Sequence, residues 1–296
     1  MEQKRNTAKY LAIYIGAMVI YGTVGIFRRN IPVSSGFLAF ARGVIGTAFL
    51  CIFVKIRGRH VLGQMSLKQF IWLAISGALI GINWALLFES YNYTTVSVAT
   101  LCYYMAPTLV ILAAPFALKE KITLKKGICA GIAVVGMIFV SGVLESGISA
   151  SGEAVGIIFG LGAAVIYAVV VIINKKIVGV DSYTKTIVQL AFAAVIMIPY
   201  LFMTGGWSSA AELFSMQEGR TLAIIMILVV GLVHTGLSYA MYFASMERLK
   251  ANTVAIFSYV DPVVALILSA LILGERMGTL GIVGAVLILG AAIVSG

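Results

Sequence analysis

Long hydrophobic runs alternate along the chain with short polar segments that carry most of its charged residues. A helix that crosses a bilayer needs about 20 consecutive, mostly apolar residues. Ten runs come close to this length, namely Tyr10–Phe27, Ser35–Val54, Phe70–Ser90, Val96–Leu118, Gly127–Leu144, Ala154–Ile173, Thr184–Met203, Leu222–Phe243, Thr253–Leu273 and Gly278–Ser295. The pattern predicts an all-α membrane protein with ten transmembrane helices, no appreciable β-structure and no soluble domain. The longest polar segments, Lys55–Lys68 and Gly205–Arg220, are expected to be loops.

The composition agrees with a protein that lies in lipid. The chain is 61% hydrophobic and 11% charged, with a mean hydropathy of +1.06, whereas soluble domains are about 25% charged. The three cysteines, Cys51, Cys102 and Cys129, lie in apolar runs without the spacing of a metal or redox site. They are interpreted as packing residues, and we expect neither a metal nor a cofactor.

The net charge of +10 is explained by where the basic residues lie. If the N-terminus is cytoplasmic, 16 of the 21 Lys and Arg residues fall in inner segments and four in outer segments, while Arg42 lies within a run. This asymmetry is the positive-inside pattern of membrane proteins. It predicts a protein of the cytoplasmic membrane with both termini in the cytoplasm, and it accounts for the charge without a nucleic-acid partner.

The sequence also contains one pattern twice. The fragment GAMVIY (Gly16–Tyr21) recurs 146 residues later as GAAVIY (Gly162–Tyr167). Further along, Pro107 recurs 155 residues later as Pro262. The difference between the offsets fits a longer loop at Gly205–Arg220 than after the second run.

The duplication predicts two units of five helices each, residues 1–145 and 153–296. Because five is odd, the second unit must cross the membrane in the opposite orientation. Inverted repeats of this kind occur in transporters and place the substrate site near the middle of the membrane, between the halves. The expected architecture is therefore a 5+5 inverted repeat around a central site.

Two segments carry a resemblance to a known family. They are NYTTVSVATLCYYMAPTLVILAAPFALKEK (Asn92–Lys121) and RLKANTVAIFSYVDPVVALILSALILGER (Arg248–Arg276). Together they resemble the paired signature of the drug/metabolite transporter superfamily, and of its ten-span EamA-type branch in particular. Arg42, in LAFARGVIG, is similar to an arginine in the second span of that family. The resemblance implies a 5+5 fold with a central cavity and the export of small metabolites, amino acids or toxic organic compounds, often in exchange for protons.

Four ionisable residues fall within the runs, namely Arg42, Glu89, His234 and Asp261. Each costs roughly 2.5–3.5 kcal/mol to insert unless it is paired or hydrated. They are therefore candidates for a functional role.

Glu89 departs from the family pattern, and its repeat partner Ala244 is neutral. An acid near Trp84, Tyr91 and Tyr93 suits an organic cation, through charge pairing and cation–π attraction. It is interpreted as a substrate or proton site. The alternative is an outer interfacial residue or a helix cap within an aromatic belt.

Asp261 directly precedes Pro262, which frees a backbone carbonyl one turn earlier. A carboxyl group beside that break can take and release a proton, and a structural pair with Arg42 is the alternative. His234 is the third candidate for proton coupling, because imidazole titrates near neutral pH. A neutral, hydrogen-bonded histidine is its alternative. Arg42 itself is interpreted as a structural anchor or counter-ion.

The repeat pairing extends the set of candidate substrate contacts. With the 155-residue offset, Trp84 corresponds to Tyr239 and Tyr104 to Tyr259, while Tyr21 corresponds to Tyr167 in the first echo. The predicted substrate-binding set is Glu89, Trp84, Asn83, Tyr104, Tyr239, Tyr259 and Tyr21. Packing within the helix bundle is the alternative role for each aromatic member.

Two more acidic residues, Glu120 and Glu275, lie at the ends of runs beside Lys121 and Arg276. They are interpreted as helix caps or salt-bridge partners at the membrane surface. A contribution to gating is the alternative.

The motifs that the chain lacks narrow the function further. There is no GxxxxGK[ST] loop for ATP, no selectivity-filter sequence and no clustered catalytic set, so we expect no enzymatic activity. The sequence predicts a secondary transporter that moves an amino acid, amine or related solute, with export by proton antiport. An uncoupled facilitator or importer on the same fold is the alternative. One chain suffices to form the site, and a dimer is compatible with it.

Overall fold

The fold was obtained as a computed structural model that describes residues 2–119, 121–140, 152–246, 248–249, 253–254 and 257–295. These residues form helices and connecting turns, with no strand among them. The helices are α1 Glu2–Arg29, α2 Ser35–Ile56, α3 Leu67–Tyr93, α4 Val96–Tyr103, α5 Ala106–Ala117, α6 Leu124–Val140, α7 Gly152–Lys176, α8 Ser182–Thr204, α9 Trp207–Ser215, α10 Arg220–Gly231, α11 Ser238–Met246, α12 Val260–Ile272 and α13 Thr279–Ser295. A π-helical segment, Leu232–Leu237, joins α10 to α11.

Seven helical stretches in the described residues are long and apolar enough to cross a membrane. They are Ala8–Arg29, Ser35–Ile56, Leu67–Tyr93, Val96–Ala117, Glu153–Lys176, Ser182–Thr204 and Arg220–Ser245. Val260–Ile272 and Thr279–Val294 are shorter apolar helices. The all-α class is confirmed, and the chain is a multi-pass membrane protein.

Several helix boundaries follow from local side-chain chemistry. The Ser34 side chain accepts a hydrogen bond from the Phe37 backbone amide and starts α2, and Ser66 forms a reciprocal capping box with Gln69 at the start of α3. Such caps satisfy amides that have no partner within the helix. At the other end of α8, Gly205 adopts a left-handed backbone (φ 68°), which glycine accepts without steric cost. The sequence therefore sets these starts and stops locally.

The segment Gly205–Arg220 differs from its prediction as a loop, because it contains the helix α9. One face of α9 is apolar: Ala210 and Leu213 are buried, and the Trp207 ring lies 5.3 Å from that of Phe40. Ser208 and Glu212 are exposed, whereas Ser209 accepts a hydrogen bond from the Ser34 amide. The segment is polar on average, and its helical spacing of apolar residues is what forms the element.

Two helical breaks lie at equivalent positions of the repeat. One separates α4 from α5 at Tyr104 and Met105, just before Pro107, and the other precedes α12 at Ser258 and Tyr259. Proline is accommodated in the first turn of a helix and disfavours continuation of the helix before it. The breaks bring non-helical backbone into the interior of the bundle.

The helices pack in a regular set of pairs. Helix α3 packs on α7 and α8, α1 packs on α11 and α12, α2 packs on α8 and on the π-helical segment, and α6 packs on α13. The α6–α13 pair approaches closely at Gly136 and Gly284, where an added Cβ on Gly136 would lie 2.8 Å from the Gly284 carbonyl oxygen. Small residues allow this approach between membrane helices.

Candidate functional site

Aromatic rings from four of the predicted positions meet in pairs in the interior of the bundle. The rings of Tyr21 (α1) and Tyr239 (α11) have centroids 5.8 Å apart, and those of Tyr104 and Tyr259 are 6.4 Å apart. Tyr104 and Tyr259 occupy the two helical breaks. The structure therefore brings together residues that lie more than 150 positions apart in sequence, and each pair joins one half of the chain to the other.

Tyr103 is a further member of this aromatic cluster that the sequence analysis missed. Its ring lies 6.0 Å from that of Tyr104 and 5.4 Å from that of Tyr167. The repeat comparison points away from it, because position 258 in the second copy is a serine. Its only sequence signal is its place beside Tyr104.

Arg42 lies at the centre of the contact between α2, α3 and the π-helical segment. Its side chain is buried, with 6% of the residue exposed. The Nε atom donates a hydrogen bond to Thr235 Oγ1 (3.0 Å), and the guanidinium carbon stands 4.0 Å from the centroid of the Trp84 ring and 5.4 Å from that of Phe88. Burial over aromatic faces stabilises a guanidinium through cation–π attraction.

The π-helical segment explains how Thr235 reaches this arginine. Thr235 Oγ1 donates to the Val230 carbonyl oxygen at 3.0 Å, five residues earlier, as the wider π-turn permits. Its remaining lone pairs face α2 and accept from Arg42. Such π-turns are rare and are frequently found at functional sites.

Asp261 forms its hydrogen bond with a tyrosine and is not paired with Arg42. The Tyr104 hydroxyl donates to Asp261 Oδ2 at 2.5 Å. The ion pair between Arg29 and Glu275 involves neither Asp261 nor Arg42. The contact therefore links the break after α4 to the first turn of α12, next to the break at Ser258 and Tyr259.

His234 is buried between α1 and the π-helical segment. Its Nε2 atom lies 2.7 Å from Thr23 Oγ1, its Nδ1 atom lies 3.3 Å from the Val229 carbonyl oxygen, and its ring packs edge-on against Phe27 at 4.8 Å. Both ring nitrogens thus face oxygen atoms. The histidine is adjacent in sequence to Thr235 and so shares the segment that holds Arg42.

Glu89 lies apart from the aromatic cluster, at the end of the bundle formed by the α1–α2 connection. Its Oε2 atom accepts hydrogen bonds from Ser35 Oγ (2.6 Å) and Asn92 Nδ2 (3.2 Å). The buried Arg28 donates to Ser35 Oγ and to Asn92 Oδ1 in the same network. Glu89 is therefore part of a polar network with Arg28, while Trp84, on the same helix, contacts Arg42.

Asn83 contacts the neighbouring helix α7. Its Nδ2 atom donates to the Ala163 carbonyl oxygen at 2.6 Å, and its Oδ1 atom is enclosed without a hydrogen-bond partner in the described part of the chain. It is thus a buried polar link between α3 and α7.

Glu275 forms the expected salt bridge, but with a distant residue. Its Oε1 atom lies 3.0 Å from Arg29 Nη2, and its Oε2 atom accepts from the Val96 amide at 2.8 Å, at the first residue of α4. A carboxylate suits the positive end of a helix. The sequence neighbour Arg276 is not its partner, and Glu120 lies outside the described residues.

No three His, Cys, Asp or Glu side chains come together as a metal-binding group in the described ranges. The interior instead holds the Arg42 guanidinium, the Asp261 carboxyl group, the His234 imidazole and several tyrosine hydroxyl groups.

The sequence profile of one family matches the chain twice, over residues 8–142 and again over residues 154–296. The chain belongs to the EamA-like transporter family. The resemblance to the EamA-type branch of the drug/metabolite transporter superfamily is thereby confirmed. Membership in this family indicates that the protein transports a solute across a membrane.

Individual relatives of this EamA-like protein agree with that assignment. It is 30% identical over 270 residues to the uncharacterized transporter YxxF of Bacillus subtilis (strain 168), which covers 90% of this chain and 84% of the relative. It is 23% identical over 214 residues to protein RarD of Escherichia coli (strain K12), covering 71% and 66% of the two chains. A protein of known crystal structure shares the fold with a TM-score of 0.63 at 19% identity, over 97% of each chain.

Proposed function

We propose that this EamA-like protein is a secondary active transporter that moves a small organic solute across the cytoplasmic membrane by alternating access. The observation that carries the proposal is the pairing of equivalent elements across the two halves. The two helical breaks meet through Tyr104 and Tyr259, whose rings are 6.4 Å apart. Discontinuous helices at the interface of inverted repeats form the substrate sites of many transporters.

The pairing of helices supports ten spans in a 5+5 arrangement. If the units are residues 1–145 and 153–296, the contact of α3 with α7 is equivalent to that of α11 with α1, and the contact of α4 and α5 with α7 is equivalent to that of α12 with α1. The α6–α13 and α2–α8 contacts each join equivalent helices. A two-fold axis between inverted halves requires this set of pairs.

The distribution of basic residues supports the orientation. The end of the bundle that includes the connection after α2 carries Lys55, Arg57 and Arg59, and Lys121, Lys126 and Lys175 together line a pocket. We propose that this end faces the cytoplasm, with both chain termini on that side. The network of Glu89 and the Arg29–Glu275 pair then lie on the outer side.

We propose export in exchange for protons, with Asp261 as the first candidate for the group that carries the proton. Its carboxyl group lies at a helical break, and its hydrogen bond to Tyr104 joins the two halves. Protonation neutralises the carboxylate and so changes this contact, which gives the proton a means to bias the two states. His234 and Glu89 are the other candidates, and the direction rests on the family resemblance.

The solute that we propose is an amino acid, amine or related molecule. The aromatic cluster of Tyr21, Tyr103, Tyr104, Tyr239 and Tyr259 offers flat apolar faces with hydroxyl groups at their edges. Such sites bind organic solutes mainly through apolar contact, with a few polar groups fixing their orientation. Glu89 is a proposed contact for a cationic group at the outer end of the path.

The test uses purified protein in sealed proteoliposomes that enclose a pH-sensitive dye. Candidate amino acids and amines are added with the membrane potential clamped, and solute-driven proton movement is recorded for the wild type and for Asp261→Asn. We expect proton movement in the wild type and its loss in Asp261→Asn. Solute flux that an uncoupler leaves unchanged would contradict antiport and favour the uncoupled facilitator or importer.

A further inference from the structure

Arg42 is a buried cation without a counter-charge. No carboxylate within the described ranges lies within ion-pair distance of its guanidinium. Its Nε atom has an acceptor in Thr235, while its Nη1 and Nη2 atoms have none among the described residues. A buried charge without a partner is costly, and guanidinium groups are well suited to bind carboxylates with two parallel hydrogen bonds.

A second donor in the same place also lacks an acceptor. The Tyr21 hydroxyl group is enclosed and makes no hydrogen bond with the described residues. Its ring lies 5.8 Å from that of Tyr239, which follows Thr235, the acceptor of Arg42, by four residues, about one helical turn. Two unsatisfied kinds of donor, one charged and one neutral, therefore share one aromatic environment.

The geometry of the arginine favours a bound ligand over a purely structural role. The Trp84 ring at 4.0 Å covers one face of the guanidinium, and Thr235 orients its Nε edge. The two amino groups at the opposite edge are left for an acceptor. Arg28 is also a buried arginine, but its amino groups have acceptors: they donate to the Ile31 carbonyl oxygen, Ser35 and Asn92.

We propose that Arg42 and the Tyr21 hydroxyl group bind the carboxylate of the transported solute. As a statement about the solute, this proposal rests on the proposed function. One guanidinium and one hydroxyl group balance a single negative charge, so a carboxylate fits better than a doubly charged phosphate, which would leave a net charge among aromatic rings. The surrounding rings of Tyr239 and Trp84 suit an apolar or aromatic remainder of the solute.

The proposal narrows the solute class. An amine without a carboxylate would leave Arg42 unsatisfied, whereas an organic acid or an amino acid would satisfy it. Of the solutes considered above, those with a carboxylate are therefore the expected ones. Arg42 becomes a binding residue in place of a structural anchor.

The experiment measures ligand binding by the fluorescence of Trp84, which contacts Arg42. The double substitution Trp72→Phe/Trp207→Phe leaves Trp84 as the single tryptophan of the chain. Trp72 is 44% exposed, and Trp207, the first residue of α9, packs against Phe40 of α2, whereas the rings beside Arg42 are those of Trp84 and Phe88. In this background, the emission of Trp84 is titrated with 3-phenylpropionate, 3-phenylpropionamide, 2-phenylethylamine and L-phenylalanine, which share one aromatic body and differ in charge. A second set, butyrate and butyramide, tests a body without a ring.

We expect a saturable change of Trp84 emission with the two phenyl carboxylates, and binding of the amide and the amine that is weaker by at least about tenfold, or 1.4 kcal/mol. Arg42→Gln should weaken the binding of 3-phenylpropionate by at least about tenfold, because it removes the charged donors. Arg28→Gln is the matched control, and we expect its affinity to stay within about twofold of the parent.

Equal affinity of acid and amide, an unchanged titration in Arg42→Gln, or no saturable response to any carboxylate would each overturn the proposal. Thermal unfolding and gel filtration check that every variant is folded. Should Arg42→Gln fail to fold, the acid–amide comparison in the parent and the Tyr21→Phe variant decide the question, since both retain the arginine.

Flux measurements in proteoliposomes separate this proposal from the proposed function. Binding of carboxylates without flux of any solute would contradict transport and leave the Arg42 site standing. Flux of 2-phenylethylamine that is unchanged in Arg42→Gln would support transport and overturn the Arg42 site. Failure of the transport proposal and failure of the Arg42 proposal can therefore be told apart.

Discussion

The contact between α6 and α13 predicts opposite effects of one substitution at two glycines of the same helix. At Gly136, an added Cβ would lie 2.8 Å from the Gly284 carbonyl oxygen and 2.9 Å from Ile288 Cγ1. At Gly131, five residues earlier, an added Cβ would meet no atom within 4 Å. We therefore expect Gly136→Ala to destabilise the protein and Gly131→Ala to leave its stability unchanged or raise it.

The size of the effect follows from two terms. Alanine is favoured over glycine within a helix by about 0.5–1 kcal/mol, and both variants gain this term. Gly136→Ala alone must also push two helices apart, and overpacking of this kind costs about 1–3 kcal/mol. The backbone oxygen of Gly284 cannot rotate away as a side chain can. The free energy of unfolding should therefore differ between the variants by about 1–3 kcal/mol.

The assay is equilibrium unfolding in detergent micelles by added denaturing detergent, followed by circular dichroism. Because the two variants are compared with each other, errors in the free energy of the detergent-unfolded state that are common to both cancel. A free energy of unfolding for Gly136→Ala equal to that of Gly131→Ala would refute the close approach of α6 and α13. Gly284→Ala should repeat the result from the opposite helix, since its Cβ would lie 2.5 Å from the Gly136 carbonyl oxygen.

Three further predictions test individual contacts. Thr235→Val removes the acceptor of Arg42 and should lower the free energy of unfolding by about 0.6–1.7 kcal/mol, the range for hydrogen bonds between membrane helices, in the same assay. Glu275→Gln removes the partially exposed ion pair with Arg29; its destabilisation should shrink as salt is added, and a salt-independent difference would contradict an electrostatic origin. Glu89→Gln should abolish thermal stabilisation by an amine if Glu89 binds a cation, and stabilisation that persists would assign Glu89 to the network with Ser35.

The helices and their ends were largely predictable because the forces that form them are local. Each predicted run is mostly helical where the structure describes it, apart from the breaks at Tyr104 and Ser258 and a few end residues. Ser34, Ser66 and Gly205 stand where caps are expected. The segment containing α9 was missed. Its apolar residues are few, and the average polarity of the segment hides their helical spacing.

The aromatic cluster was partly predictable through the repeat. The 155-residue offset identified Tyr104 and Tyr259 as equivalent positions, and their rings lie 6.4 Å apart in the structure. It gave no sign of Tyr103, whose equivalent is a serine. Symmetry thus finds paired contacts and misses those that one half makes alone.

Glu89 and Trp84 were grouped because they are close in sequence. Within a helix, closeness in sequence does not show that two side chains lie together in space. At 3.6 residues per turn, side chains five residues apart point about 140° away from each other. Trp84 therefore faces Arg42 on α2, while Glu89 faces Ser35 and Asn92. Both residues remain predicted substrate contacts, but they belong to different parts of the bundle.

The class of the protein, its helices and its internal duplication could all be derived from the order of apolar and polar residues, because hydrophobic length and periodicity act within one segment. The hydrogen-bond and ion-pair partners of the charged groups could not be derived in this way. Glu275 pairs with Arg29, 246 residues away, and Asp261 pairs with Tyr104, while Arg42 is left with Thr235 and Trp84. These contacts depend on which helices from the two halves approach one another and at what height, and only the folded bundle specifies both.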